Sequence, residues 1–406
     1  MPARLLHSWQ WINWDYNESL FKFVSGRFST SSPSIFNLQL SNMQFGILGS
    51  GSWGTALAKI LTSNGRSIYW WNRSEAAIAY ILKRCHNPQY LTSAHFDVTR
   101  LHLSIDPAEV ILKSEYIIIA IPSAYIERVL QVLPRDVFRG KKVISAIKGM
   151  LPGKNVLLNE YLKKEFDVSL NNYFAVLGPC HAEEVAAEKL SYLTFSGIDE
   201  PGTHELAAAF KTDYINTLEN KDIYGVQFAA VLKNIYAVGS GMAHGLDYGD
   251  NFLSVLIANS ADEMAGFLRK AGIQNIQVGS IEHRMASLVS LPISSVGDPK
   301  TMTGSSVATG TTNYAASVYL GDLLVTCYSP HSRNRSFGNM IGKGYSVIVA
   351  QQEMIMVAEG YNASKCMYLL NRVIQAEMPI AETIYSILWE NEPVQEGFKR
   401  IEATLV

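Results

Sequence analysis

The sequence predicts an α/β fold, in which a doubly wound, mostly parallel sheet precedes an all-helical carboxyl-terminal domain. Short apolar runs alternate with helical segments from residue 43 onward, and a glycine-rich turn joins the first run to the first helix. After about residue 225, apolar residues recur at helical spacing and strand signals become few. We therefore expect a sheet domain over residues 43–225 and a helical domain over residues 226–406.

Apolar runs of four to six residues, rich in β-branched and aromatic side chains, predict the strands of the sheet. These runs are Gln44–Leu48, Ser67–Trp71, Tyr116–Ile121, Lys142–Ile147 and Tyr173–Leu177. Helical patterns lie between them at Trp53–Ser63, Ser123–Leu133 and Lys154–Lys164. In the second half, helical periodicity covers residues 226–245, 251–272, 347–374 and 379–390.

Two stretches do not follow this alternation. Residues 1–42 contain three tryptophans, few acids and a Ser/Thr cluster, which leaves two interpretations: an organelle transit peptide, or an extension ahead of a start at Met43. We favour a disordered or non-native extension, because Met43 directly precedes the first strand and arginine is sparse. Residues 280–313 are rich in Ser, Thr and Gly and predict a mobile loop.

Composition narrows the classes of function. Lys and Arg total 34 and Asp and Glu total 36, so the net charge of −2 predicts no attraction to nucleic acid or to an anionic membrane. The longest apolar runs fall short of a membrane span, and we expect no integral membrane contact. Four scattered cysteines without a CxxC pair predict neither a metal site nor disulfides, and they favour a reducing, cytoplasmic location.

The glycine-rich turn has the GxGxxG spacing at Gly49, Gly51 and Gly54. Alone the spacing is a weak signal, but here it follows a strand and opens a helix, as in Rossmann-like dinucleotide-binding domains. Gly49 allows the tight turn, Gly51 lets the backbone approach a pyrophosphate, and Gly54 lets the helix pack on the strand. A plain strand-to-helix turn is the alternative.

The end of the second predicted strand bears on the choice of cofactor. NAD enzymes usually have an acid there for the ribose 2′-hydroxyl, whereas this chain has Arg73, with Glu75 as the nearest acid. Arg73 is suited to a 2′-phosphate or to the face of an adenine. The sequence therefore predicts NADP or NAD as cofactor, and a solvated surface arginine is the alternative for Arg73.

Two side chains follow predicted buried strands. Ser123, after Pro122, reads as a helix N-cap, which by itself explains its presence. Lys148 comes directly after an apolar strand and precedes a glycine, which predicts that it points into the crevice of the sheet rather than into solvent. There it could bind an anionic substrate or the cofactor.

An almost wholly apolar helical run over residues 226–238 carries Lys233 and Asn234. A helix that is apolar on all sides is buried, so these two groups need buried partners. Burial lowers the pKa of a lysine towards neutrality, which suits a general acid/base. A lysine that reaches solvent from the helix edge is the alternative.

Arg333 lies in the polar run Ser332–Arg335, which follows the apolar run Leu320–Thr326. A guanidinium binds phosphate through two parallel hydrogen bonds, so this run is a candidate phosphate site. An ordinary basic loop is an equal alternative on this evidence.

Together these residues resemble the NAD(P)-dependent glycerol-3-phosphate dehydrogenases, especially the bacterial type. The matching stretches occur in the family's order from residue 43 nearly to the end. They are GILGSGSWGTALA (46–58), AIPS (120–123), SAIKGM (145–150), GPCHAEEVA (178–186), LKNIYAVGSGMAHGL (232–246), GDN (249–251), GDLLVTC (321–327), SRNRSFG (332–338), VAEGYNA (357–363) and MPI (378–380).

The resemblance implies roles for individual residues. Lys233 would be the general acid/base, supported by Lys148 and by Asp322 in the same network. The implied cofactor contacts are the three glycines with Ser52, Trp53, Arg73, Lys148, Ala182, Arg333, Val357 and Glu359. The implied substrate contacts are Lys148, Gly178, Cys180, Lys233, Asn234, Asp322, Ser332, Arg333 and Asn334.

The chain departs from the family pattern at three places. Cys180 stands where bacterial members usually have serine, so a hydroxyl contact becomes a thiol contact. Gln227 replaces the usual glutamate, and Ala258–Ser260 replaces a Thr-Arg-Gly that supplies one more basic group. These changes bear on the substrate pocket and not on the class of reaction.

The resemblance implies reversible hydride transfer between NAD(P)H and dihydroxyacetone phosphate, which gives sn-glycerol 3-phosphate, a phospholipid precursor. Residues 43–225 would bind the dinucleotide and residues 226–406 would hold the substrate. The alternatives are another two-domain dehydrogenase, acting on a hydroxy acid or a sugar acid, and a non-catalytic dinucleotide sensor. The sequence leaves the oligomeric state open, with a homodimer as one candidate.

Overall fold

The computed structural model describes residues 43–273, 317–354 and 356–406. The expectations for residues 1–42 and for the loop at residues 280–313 lie outside the described residues. Within them, the predicted class is confirmed: a Rossmann-like sheet with helices on its faces precedes a helical carboxyl-terminal part.

Eight strands form one sheet in the order β3-β2-β1-β4-β5-β6-β7-β8. The first six are parallel, β7 runs antiparallel to β6, and β8 is parallel to β7. The strand order reverses between β1 and β4, which is the point where open α/β sheets bind ligands. The strands are β1 Phe45–Leu48, β2 Ile68–Trp71, β3 Leu101–Ser104, β4 Tyr116–Ile119, β5 Lys142–Ser145, β6 Tyr173–Leu177, β7 Ser191–Ser196 and β8 Ile215–Asn220.

The five predicted strands are all present, within about two residues at each end. Three further strands, β3, β7 and β8, were not predicted. The edge strands β3 and β8 contain few apolar residues, and each buries only its first residue fully. Because a strand at a sheet edge can leave polar side chains in solvent, its sequence carries a weak pattern.

In the described residues 43–220, seven α-helices connect the strands. They are α1 Ser52–Ser63, α2 Glu75–Arg84, α3 Pro107–Leu112, α4 Ser123–Leu130, α5 Leu158–Phe166, α6 Ala182–Ala186 and α7 Glu200–Phe210. The predicted start of α5 at residue 154 is wrong. Leu151 and Val156 instead pair as an antiparallel bridge around Asn155, whose φ of 56° is left-handed, and the helix begins only after this turn.

The helical part is built around α8, in which nearly every side chain is buried. Glycines let α11 pack closely on α8: a Cβ at Gly241 would overlap the Arg335 carbonyl, and one at Gly338 would overlap the Val238 carbonyl. Although α8 is long and apolar, no helix of the described residues could cross a membrane. The helices are α8 Ile223–Gly245, α9 Asp250–Lys270, α10 Asp322–Tyr328, α11 Arg333–Gly342, α12 Val347–Glu353, α13 Glu359–Ile374, α14 Pro379–Trp389 and α15 Val394–Glu402, with a π-helical turn at Ser317–Gly321.

The predicted helical segment 347–374 is wrong as a single element, because it divides into α12 and α13. No proline or glycine lies in the interruption, so no residue there signals a break in the helix. The division places Glu359 in the first turn of α13, where its carboxylate faces α4.

A buried carboxylate fixes α8 against two of its neighbours. Glu263 on α9 accepts hydrogen bonds from Tyr236 Oη at 3.1 Å and from the first-turn N–H groups of Ile380 and Ala381 at 2.8 and 2.9 Å. Burial raises the pKa of Glu263 to about 7, against the pull of these donors. Because Tyr236 lies one turn after Lys233, this network positions the part of α8 that carries the lysine.

Candidate active site

A cavity of about 1220 Å³ lies at the carboxyl ends of the parallel strands. One wall comes from the sheet and the other from α8, α10, α11 and the segment before α13. Its lining includes the glycine turn at one end and the predicted lysines at the other. The cavity thus brings together predicted site residues from across the chain: Gly49, Gly51, Ser52, Trp53, Arg73, Lys148, Cys180, Ala182, Lys233, Asn234, Asp322, Ser332, Arg333, Asn334, Val357 and Glu359. Gly54 and Gly178 are not on its wall.

The glycine turn has the close packing that its spacing predicts. Gly49 has a φ of +121°, and a Cβ there would come 2.6 Å from the Ala120 carbonyl oxygen. A Cβ at Gly54 would overlap the Gly49 carbonyl oxygen, so α1 and β1 approach closely only because position 54 is glycine. A Cβ at Gly51 would meet no atom of the described residues within 4 Å, which leaves open space for a ligand against this backbone.

The end of the cavity that contains the glycine turn is lined by aromatic and basic side chains. Arg73 is exposed on its wall and has neither an ion pair nor a hydrogen bond within the described part of the chain. Arg128, Tyr125 and Tyr80, which were not predicted, also line the cavity, and the two tyrosines are 47% and 37% exposed. Glu75 is not part of the lining. This end therefore suits an adenosine with a negatively charged substituent.

Lys148 follows β5 and points into the crevice, as predicted. Its Nζ lies 3.8 Å from Cys180 Sγ and 5.4 Å from the centre of the Trp53 ring. Burial is the largest influence on Lys148 and lowers its pKa, but the Asp322 carboxylate and the contacts with Cys180 and Lys233 together leave the pKa raised. Lys148 therefore places a positive charge between the glycine turn and the helical part.

Lys233 on α8 is 2% exposed, and its Nζ contacts Oδ1 of Asp322 at the start of α10. Burial lowers the pKa of Lys233 to about 8; the neighbouring Lys148 adds to this effect and Asp322 opposes it. Within the described residues, Oδ2 of Asp322 has no partner although it is buried. Lys233 can therefore hold or release a proton near neutral pH.

Two asparagines connect the lysine-bearing elements. Asn234 Nδ2 donates to the Lys148 carbonyl at 2.6 Å, and Asn334 Nδ2 donates to Asn234 Oδ1 at 2.8 Å. Asn334 Oδ1 in turn accepts from the Gly360 N–H at 2.9 Å. This chain of bonds runs from the turn after β5 through α8 and α11 to α13, and so fixes Lys148 relative to Lys233.

Arg333 is the first residue of α11, where Ser332 is the N-cap and its Oγ accepts from Arg335 N at 3.3 Å. The Arg333 guanidinium lies on the cavity wall, and its Nη1 contacts Met356 Sδ at 3.6 Å. A thioether is a weak acceptor, so Arg333 keeps most of its hydrogen-bonding capacity for an anion.

The segment after β6 supplies further lining. Cys180 Sγ donates to the Gly178 carbonyl at 3.0 Å, and burial raises the pKa of this thiol, which stays neutral. Gly178 itself has a φ of +133° and lies against the Tyr192 carbonyl rather than on the wall. His181, which was not predicted, lines the cavity; burial and the two lysines lower its pKa.

The predicted N-cap role of Ser123 is wrong. Pro122 occupies the cap position, and Ser123 is the first helical residue of α4. Glu359 accepts from the Ser123 N–H at 2.9 Å and from the Ser123 hydroxyl. Burial raises the pKa of Glu359, and the two hydrogen bonds from Ser123 offset part of this rise. The pair joins the sheet to α13 beside the cavity, a contact between residues 236 positions apart that no local pattern could predict.

A cavity that joins a dinucleotide-type glycine turn to a buried Lys–Asp pair defines the class: this is a nicotinamide-dependent oxidoreductase with a Rossmann-like sheet and a helical second part. Family models place it more finely. The amino-terminal model of NAD-dependent glycerol-3-phosphate dehydrogenase matches residues 44–201, and the carboxyl-terminal model matches residues 222–298 and 300–399. The chain therefore belongs to the NAD-dependent glycerol-3-phosphate dehydrogenase family.

Individual relatives agree with this assignment. A glycerol-3-phosphate dehydrogenase (NAD(P)+) from Bacillus subtilis is 31% identical over 358 residues, covering 88% of this chain and 93% of the relative. The enzyme of the same name from Lacticaseibacillus paracasei is 30% identical over 357 residues, covering 86% and 91%. The crystal structure of glycerol-3-phosphate dehydrogenase from Coxiella burnetii has a TM-score of 0.70 at 25% identity, covering 88% of this chain and 98% of that one.

The Lys233–Asp322 pair gives a prediction about stability. Asp322→Asn removes the charge that faces Lys233, so a buried ammonium must lose its proton or stay unpaired. Breaking a buried pair from one side is strongly destabilising, and we expect the free energy of unfolding to fall by about 3 kcal/mol. Denaturant titration at pH 7 measures it. The exposed Asp262, changed to Asn, is the matched control and should shift stability by under about 0.5 kcal/mol. Equal stability of the two variants would show that the pair contributes nothing to the fold.

Proposed function

We propose that the protein catalyses reversible hydride transfer between NADPH or NADH and dihydroxyacetone phosphate, giving sn-glycerol 3-phosphate. One observation carries the proposal. Lys148, Lys233 and Asp322 meet in the cavity between the glycine turn and the Arg333 guanidinium. A carbonyl compound with a phosphate group fits between a proton donor and an arginine, and the names of the relatives point to the same substrate.

The sheet side of the cavity fits a nicotinamide dinucleotide. The glycine turn offers backbone N–H groups for the pyrophosphate, and Arg73 stands where the adenosine ribose would lie. When bound, the cofactor supplies or accepts the hydride. Ser52, Trp53 and Ala182 would border it on the sheet side, and the helical side would contribute Val357, Glu359 and Arg333.

The helical side would hold the substrate. Arg333, helped by Ser332 and the remaining N–H of Asn334, would bind the phosphate group. Lys148 would place its positive charge beside the substrate oxygen and stabilise the negative charge that develops there, a preorganised electrostatic contribution. Cys180 would border the pocket, and Gly178 would act through the backbone that positions Cys180.

Lys233 would move the proton. In the reducing direction, its ammonium donates a proton to the carbonyl oxygen, and in the oxidising direction its neutral amine takes the hydroxyl proton. Asp322 keeps the Nζ oriented by contact through Oδ1 and counters the burial that lowers the lysine pKa. Asn234 keeps Lys148 in register with Lys233 through its bond to the Lys148 carbonyl.

We extend the proposal to domain roles, location and assembly. Residues 43–225 would bind the dinucleotide, and residues 226–406 would hold the substrate and the proton donor. All four cysteines are free thiols, the state that a reducing cytoplasm maintains. The product would serve as a phospholipid precursor, and a homodimer is the candidate assembly.

One assay tests the proposed reaction. Oxidation of NADPH and NADH is followed at 340 nm with dihydroxyacetone phosphate and, separately, with unphosphorylated dihydroxyacetone. We expect turnover with the phosphorylated substrate and a kcat/KM at least about 100-fold lower without the phosphate, because Arg333 is left unpaired. Comparable rates with both substrates would favour another dehydrogenase, and turnover with neither would favour a sensor.

Lys233 gives a pH prediction. Because its pKa is about 8, reduction should be fastest below this pH and decline as pH rises through it, whereas oxidation should rise over the same interval. Lys233→Ala should lower kcat by about 10²–10⁴-fold in both directions and abolish this pH dependence, with little change in cofactor affinity. Lys142→Ala is the control, since Lys142 lies at the opposite end of β5. Near-normal turnover in a folded Lys233→Ala variant would leave Lys148 as the proton donor.

Arg73 gives a prediction about cofactor choice. Arg73→Ala removes an unpaired guanidinium from the adenosine end of the cavity, so NADPH should lose about tenfold or more in affinity while NADH loses little. Fluorescence titration with each cofactor measures both dissociation constants. Arg84→Ala, at the end of helix α2, which follows Arg73, and outside the cavity lining, is the control. An equal loss for the two cofactors would mean that Arg73 does not contact a 2′-phosphate.

A further inference from the structure

The glycine turn binds an anion only if its peptide groups face the right way. In a trans peptide the C=O and the N–H point in opposite directions, so the bond made by one determines the orientation of the other. Glycine tolerates backbone angles of either sign, and a turn with glycine at positions 49 and 51 can rotate its peptides at little cost. Something outside the turn must therefore hold it.

Three successive carbonyl oxygens of the turn are held on the protein side. The Gly49 oxygen accepts from Trp70 Nε1 at 2.9 Å, and the Ser50 oxygen accepts from Asn87 Nδ2 at 3.0 Å. The Gly51 oxygen accepts from the Thr55 N–H at 2.9 Å, as the first bond of α1. The next N–H groups in the chain, those of Ser50, Gly51 and Ser52, have no hydrogen bond to any described residue, and all three residues line the cavity.

Asn87 is built into its position. It is 3% exposed, and its Nδ2 also donates to Thr55 Oγ1 at 3.0 Å. Its Oδ1 accepts from the N–H groups of Gln89 and Tyr90 at 3.0 and 3.2 Å. One side chain thus ties the turn and α1 to the segment after α2, which lines the adenosine end of the cavity.

Trp70 donates the hydrogen bond that holds the Gly49 carbonyl. It is fully buried in β2, where its ring packs against Phe96 at a centroid distance of 5.5 Å. This packing keeps its Nε1 directed at the glycine turn. A buried indole N–H needs an acceptor, and the Gly49 carbonyl is the one it has. Rotation of the Gly49–Ser50 peptide would leave this N–H unpaired.

We propose that Asn87 and Trp70 are positioning residues for cofactor binding, which hold the Ser50 and Gly49 carbonyls away from the cavity so that the following N–H groups face the pyrophosphate. The proposal rests on the dinucleotide part of the proposed function and not on the substrate. Without either anchor, a carbonyl oxygen can turn towards the phosphates and repel them. Both nicotinamide cofactors share the pyrophosphate and should depend on the anchors equally.

The test is cofactor titration of Asn87→Ala by NADH and NADPH fluorescence. We expect both dissociation constants to rise about tenfold or more, with their ratio unchanged, and kcat and substrate KM at saturating cofactor to stay near wild type. Asn371→Ala is the matched control. Like Asn87, Asn371 is a buried asparagine with several hydrogen bonds, three in its case, but these join α13 to the start of α14. It should lose stability and keep cofactor affinity.

Trp70→Phe removes the other anchor without adding charge and should raise both dissociation constants in the same way. It carries the test if Asn87→Ala does not fold. Cofactor affinities within twofold of wild type in the folded variants, a changed NADPH/NADH ratio, or an equal loss in Asn371→Ala would overturn the proposal. Because titration needs no substrate, a wild-type protein that binds cofactor but does not reduce dihydroxyacetone phosphate would overturn the proposed reaction and leave this inference intact.

Discussion

The contact between the Lys233 ammonium and the Asp322 carboxylate is the interaction on which the rest of the helical part depends. Both groups are almost completely buried, and removing two charges from water costs several kcal/mol each unless their geometry is well matched. The packing of helix α8 offsets this desolvation cost. The helix is buried on nearly every side, and glycines let α11 pack closely against it. The lysine is therefore almost completely buried at the cavity wall, where burial and the contact with Asp322 together determine its pKa.

Two sets of hydrogen bonds then keep the helical part in register with the sheet. The asparagine pair links the Lys148 carbonyl to α8, α11 and α13, while Glu359 accepts two bonds from Ser123 at the start of α4. These bonds lie beside the cavity and cross between its two walls. Since a displacement of about 1 Å can cost a large factor in rate, such cross-links matter for chemistry as much as for stability.

The sequence predicted those residues whose type is unusual for their position in a helix or turn. Lys233 and Asn234 stand out in an apolar helix, and Gly49 and Gly54 sit where a side chain would overlap backbone. What it could not predict depends on distant partners. The Ser123 hydroxyl fits a helix cap equally well in isolation, and only the fold brings Glu359 to it. The edge strands β3 and β8 were not predicted, because the neighbouring strands, more than their own residues, determine their structure.

The two lysines also show how two identical side chains beside one carboxylate can have different tasks. Burial acts against the charge of both, yet the pKa of Lys148 is raised and that of Lys233 is lowered to about 8. The positive charge of Lys148 is one reason that Lys233 gives up its proton more readily. Pairs of titratable groups whose environments separate their pKa values divide the roles of acid and electrostatic stabiliser. On this reasoning the fixed charge belongs to Lys148 and the mobile proton to Lys233, since burial and the Lys148 charge lower the pKa of Lys233 more than the contact with Asp322 raises it.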